Sequence, residues 1–155
     1  MKDSQKHMVY GVALIIDQEV KKKLLSLHKE EIYAYVIYDD EITRKLIDCM
    51  ELDQNRFDSL NILMYSEAIP RNTKHWIARD YDGNGSSVCL LEARDLSWIC
   101  KRLQAIDQNN YSNLYQRCGI GTMTDFEENW SCFCAFRDFI FKAKNLRQSL
   151  VFFYG

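Results

Sequence analysis

Two short apolar runs near opposite ends of the chain constrain its fold more than any other feature. Val9–Ile16 and Ser149–Tyr154 are rich in β-branched and aromatic residues, and both have the length of a buried strand. Placed side by side in a core sheet, they draw both ends of a 155-residue chain into one unit. That length suits one ordinary domain and is enough to bury a self-sufficient core. Val88–Leu91 reads as a further strand. The predicted fold is α+β: a single domain over residues 1–155, with a small mixed or antiparallel sheet covered by four to six helices. Residues 1–7 are polar and read as a frayed, flexible end.

Between these runs the spacing of apolar residues is mostly helical. Asp17 stands where an N-cap belongs, ahead of a helix from about Gln18 to His28 with Val20, Leu24 and Leu27 on one side. Ile32–Tyr38 is ambiguous, since its composition favours a strand while its length also permits the first turns of a buried helix. Asp39, Asp40 and Glu41 place negative charge at a helix start, where the macrodipole favours it. Ile42, Leu46, Cys49 and Met50 supply that helix with an apolar stripe. Asp53 caps the next helix, whose expected buried face is Phe57, Leu60, Leu63 and Met64. That helix stops before Pro70, the lone proline. Asp95–Asp107 is a helix with Leu96, Ile99, Cys100, Leu103 and Ile106 on one face. Asn109–Arg117 is a shorter one carrying Tyr111, Leu114 and Tyr115. Thr124, with Glu127 three residues on, caps a long helix to about Asn145.

Composition excludes several function classes. Twenty basic and 22 acidic side chains leave a net charge of −2, unlike the strong positive excess of a general nucleic-acid binder. Lys21, Lys22 and Lys23 form an isolated triplet that reads as a solvated helix face. No apolar run approaches a membrane span, and the N-terminus has no signal-peptide core, so a cytoplasmic location is expected. In that compartment the six cysteines are expected to be reduced thiols, and the Cys132-x-Cys134 spacing does not fit a zinc knuckle. Cys49, Cys100 and Cys134 are assigned to apolar helical faces.

The densest run of oxygen donors lies in the middle of the chain. Asp80, Asp82, Asn84 and Gly85 occupy positions 1, 3, 5 and 6 of a calcium loop. Position 12, where a bidentate glutamate belongs, is Leu91, and Glu92 falls one residue late. The extended flanks His75–Arg79 and Val88–Leu91 favour a strand–turn–strand instead. No metal or cofactor is therefore expected. Among the three histidines only His75 has an interesting neighbourhood, and no nucleophile motif accompanies it.

Leu52-Asp53-x-x-Arg56-Phe57-Asp58-x-Leu60 resembles the segment Leu-Asp-x-x-x-Trp-Asp-x-Leu of the YfbM-like family of small bacterial proteins. The order of elements is similar too, from the Val9-Tyr10-Gly11 strand through Asp17 to the closing apolar strand. Phe57 stands where the family favours tryptophan, and Asn61 where it often has histidine. The resemblance implies an α+β fold and supplies no reaction. With no catalytic motif, the expected function is protein binding, most concretely a bacterial immunity protein that occludes the active site of a cognate toxin. Asp39, Asp40, Glu41, Asp80 and Asp82 are the candidate contact residues, suited to the basic cleft of a nuclease. Direct nucleic-acid and membrane contacts are not expected. The alternative expectations are a small enzyme or metal-dependent protein using Asp80–Glu92, or a housekeeping domain.

Overall fold

The computed structural model describes residues 11–69, 75–79, 87–118 and 125–154. The elements run β1 (Gly11–Ile16), α1 (Gln18–Leu25), α2 (Lys29–Tyr38), α3 (Asp40–Lys45), β2 (Asp48–Leu52) and α4 (Gln54–Tyr65). They continue with β3 (Trp76–Arg79), β4 (Ser87–Leu91), α5 (Ala93–Gln104), α6 (Gln108–Arg117), α7 (Phe126–Asn145) and β5 (Ser149–Tyr154). The strands form one sheet in the order β2-β1-β5-β4-β3, and every neighbouring pair is antiparallel. The two end runs therefore pair, with Ala13 opposite Phe152 and Ile15 opposite Leu150. The fold is α+β, with seven helices among the described residues rather than four to six.

Helices cover both faces of the sheet, which explains why the central strands are apolar without alternation. Ala13, Ile15, Cys89, Leu91, Leu150 and Phe152 point to one side, into a core shared with α4, α5, α6 and α7. Phe136 of α7 stacks on Phe152 there, ring centroids 5.4 Å apart. Leu14, Ile16, Val88, Leu90 and Val151 point to the other side, against Val20 and Leu24 of α1, Ile32 and Val36 of α2, and Ile42 of α3. Each such side chain contributes about 1.5–3 kcal/mol by leaving water. The first core holds one polar seam. Tyr111 donates to the Asn129 side-chain oxygen and lies 3.2 Å from the Ser59 hydroxyl, which donates to the Asn55 carbonyl at 3.0 Å. The seam ties α4, α6 and α7 together, and each of its groups left unpaired would cost about 1–3 kcal/mol.

Three local expectations are corrected, and the ambiguity at Ile32–Tyr38 is resolved. The first helix stops at Leu25, and His28 precedes α2 instead of closing α1. Ile32–Tyr38 is helical: His28 N–H donates to the Glu31 carboxylate at 3.0 Å and starts a helix that buries Ile32, Tyr35 and Val36, spaced 3 and 1. The stripe Ile42–Met50 is broken. α3 ends at Lys45, Ile47 N–H donates to the Ile15 carbonyl at 2.8 Å, and Cys49 and Met50 belong to edge strand β2. Cys49 is exposed there, off any helical face. Asp125, not Thr124, caps α7 by accepting from Glu127 N–H at 3.0 Å; Thr124 lies outside the described residues. The caps at Asp17 and Asp53 are as expected, each accepting from the backbone N–H three residues on. All six cysteines are free thiols.

Candidate functional site

The site builds on the helicity of α2. Once Lys29–Tyr38 is helical, Glu31, Ala34, Tyr35 and Tyr38, spaced 3, 1 and 3, share one face. That face, with Lys23 of α1, Leu27 of the α1–α2 turn and Asp39, lines an open groove of about 430 Å³. Tyr35 is only 3% exposed, whereas Tyr38, one turn on, is 80% exposed. Tyrosine is enriched at protein interfaces, where its ring can be covered while its hydroxyl stays wet. Leu25, Ile37 and Ile47 are also exposed on or beside these first helices.

The groove is electrostatically uneven. Burial pushes the Tyr35 phenol above its ordinary value, and the carboxylates of Glu41 and Asp39 add to the shift. Its hydroxyl is closed to water and has no hydrogen-bond partner among the described residues. Glu31 and Asp39 contribute negative charge to the lining and Lys23 positive charge.

The predicted contact residues divide into two groups. Asp39 and Asp40 are exposed and Glu41 is half-buried. Asp39 caps α3 through Glu41 N–H at 2.8 Å, and Asp40 sits in the first turn. Lys45 links Glu41, at 3.3 Å, to Glu19 of α1, at 3.4 Å. The triplet thus performs the helix-start role its sequence indicates and also borders the groove through Asp39. Asp80 and Asp82 lie outside the described residues. Lys23, Leu27, Glu31, Ala34, Tyr35 and Tyr38 escaped the sequence reading. Their signal was the helical spacing of Glu31 to Tyr38, hidden by the β-rich composition of the same segment.

A second, smaller pocket of about 100 Å³ lies where β4 enters α5, lined by His75, Ile77, Leu90, Glu92, Arg94, Asp95 and Leu25. Its charges are largely committed to structure. Asp95 accepts the Glu92 N–H at 3.1 Å, closing the start of α5. Glu92 takes Lys21 at 2.9 Å and Arg94 at 3.2 Å, and the Lys21 contact chiefly holds its carboxyl below the ordinary range. His75 Nδ1 is 3.7 Å from Asp95 Oδ2, too long for a hydrogen bond. No serine, threonine or cysteine is among the described residues lining the pocket. At position 12 of the calcium pattern, Leu91 is buried in β4. Glu92, one residue late, is already bound by two cations. This end of the stretch serves the fold.

The motif Leu52 to Leu60 is built into the fold as well. Leu52 ends β2, Asp53 caps α4 and Leu60 is fully buried. Asp58, 6% exposed, accepts from Gln54 Nε2 at 3.0 and 3.1 Å.

No family model matches the chain, and no curated protein matches it. Among solved structures it is similar to YfbM from Escherichia coli, a protein described as of unknown function, at 16% identity and a TM-score of 0.61. The alignment covers 96% of this chain and 100% of YfbM. The resemblance seen in the Leu52–Leu60 segment and the element order is thus a shared fold. No helix among the described residues is long and apolar enough to cross a membrane.

Proposed function

We propose that this chain is a protein-binding module, most concretely a cytoplasmic immunity protein that silences a cognate toxin by occluding its active site. It acts by steric and electrostatic occlusion, without chemistry of its own. The contact face is the layer of α1, α2 and α3. One observation carries this reading: Tyr38 stands 80% exposed at a groove whose lining includes Asp39 and Glu31. Exposed tyrosines beside a concave surface are the usual anchors of protein interfaces. An acidic rim speeds encounter with a basic surface such as a nuclease cleft, which makes the partner a protein rather than a nucleic acid.

The test is co-expression with the product of the adjacent reading frame. The expected outcome is a complex that copurifies and cells that survive expression of that product. Tyr38→Ala should weaken the complex by about 2 kcal/mol, roughly thirtyfold in Kd, as a buried anchor does. A partner that neither binds this chain nor is neutralised by it sinks the proposal.

A further inference from the structure

We infer that the outer edge of β2 is sealed against strand addition by two of the chain's own side chains, Asp48 and Arg56, and that this seal keeps a second copy from extending the sheet. β2 ends the sheet order, with β1 on one side and no strand among the described residues on the other. Backbone groups along a strand point alternately to its two sides. Those of Cys49 and Glu51, both exposed and two residues apart, share a side. Two of these groups are met by side chains. Cys49 N–H donates to Asp48 Oδ1 at 2.8 Å, and Arg56 Nη1 donates to the Glu51 carbonyl at 3.0 Å. Asp48 is itself held. Lys142 of α7 lies 2.7 Å from its other oxygen, and that contact, with the Cys49 N–H, keeps its carboxyl below the ordinary range. The seal is therefore charged at neutral pH and anchored in a second element.

An outer strand with free N–H and C=O groups is a template for another strand. The occupant this edge fits is β2 of a second copy, because a twofold axis lays the strand antiparallel on itself. An axis through Met50 sets Cys49 of one copy opposite Glu51 of the other. In that register the Cys49 N–H and the Glu51 carbonyl are each other's partners, and these are the two groups already taken. Asp48 and Arg56 thus block both ends of one intermolecular bond, twice over in the symmetric pair. A carboxylate also holds an N–H more firmly than a carbonyl does, so trading Asp48 for a second strand is unfavourable. Met50 and Leu52 add no apolar reward, because both turn to the core of their own copy.

The test joins amide exchange by NMR to sedimentation velocity, on the full chain under reducing conditions so that Cys49 forms no disulfide. Asp48→Ala should speed exchange of the Cys49 amide about tenfold, the equivalent of one hydrogen bond to a charged group. Lys142→Ala, which leaves β2 itself unchanged, should speed it by less. Asp48→Ala combined with Arg56→Ala should sediment as a concentration-dependent dimer, with the Glu51 amide slowing as the dimer forms. If the double variant does not fold, each single variant carries the same test and should dimerise more weakly. A Cys49 amide indifferent to both Asp48→Ala and Lys142→Ala overturns the inference. So does a wild-type chain whose Glu51 amide is protected by self-association, or a folded, unsealed variant that stays monomeric at NMR concentrations.

Discussion

Asp58 is a carboxylate in a place that disfavours its charge. Burial raises its pKa above the ordinary aspartate value, against the opposing effect of the Gln54 hydrogen bonds. A raised folded value means that folding favours the protonated form. The stabilising contribution is complete below the unfolded value of about 3.9 and is lost as pH rises through the folded value. Asp58→Asn, which keeps an acceptor for Gln54, should therefore raise the thermal midpoint at pH 7. The advantage should shrink as pH falls and vanish near pH 4. Calorimetry at pH 7, 5.5 and 4 checks this; an equal gain at all three would rule out burial of charge as the cause. Single residues of this kind were partly legible. Asp17 and Asp53 could be read as caps because capping is a local rule of four residues. The Tyr35 hydroxyl, without a partner among the described residues, could not, because that depends on which neighbours α1 and α3 bring across space.

At the scale of elements, the end of α7 is held by a turn that favours glycine. Arg147 has φ 56°, Arg147 N–H donates to the Lys144 carbonyl at 2.9 Å, and Gln148 N–H donates to the Ala143 carbonyl at 3.0 Å. This is the Schellman closure, in which a side chain at the left-handed position costs about 1–2 kcal/mol. Arg147→Gly should therefore stabilise the protein by about 1 kcal/mol, after the entropic cost of glycine in the unfolded chain. The denaturant midpoint should rise at unchanged slope. Elements whose apolar residues follow one period over three turns, such as α5, were legible down to the buried face. β2 was not, because Ile42, Leu46, Cys49 and Met50 match a helical stripe although the chain leaves the helix at Lys45. Its only inward residues, Met50 and Leu52, make an alternation too short to detect. α2 was obscured for the converse reason: isoleucine, valine and tyrosine at helical spacing look like a strand when their composition is weighed first.

For the whole molecule, β5 matters most. It is the only strand paired with both β1 and β4, so it joins the β1–β2 pair to the β3–β4 pair. Isolated two-stranded ribbons are marginal in water. β5 also supplies Leu150 and Phe152 to one core and Val151 to the other. A chain ending at Gln148 should lose cooperative unfolding altogether, read by near-ultraviolet circular dichroism across a urea titration; a sharp transition in that variant would contradict this account. The pairing of the two chain ends was legible because both runs are short and uniformly apolar. The double helical cover was not, since it is a property of three layers.

The central place of β5 also bears on synthesis. Ribosomes deliver β1 first and β5 last of the five strands, so the sheet cannot close until residue 154 is free of the exit tunnel. Until then β1 and β4 each present an open, apolar edge, the state most exposed to wrong pairing. The yield should therefore depend on holding chaperones more than that of a protein whose sheet grows outward from its first strand.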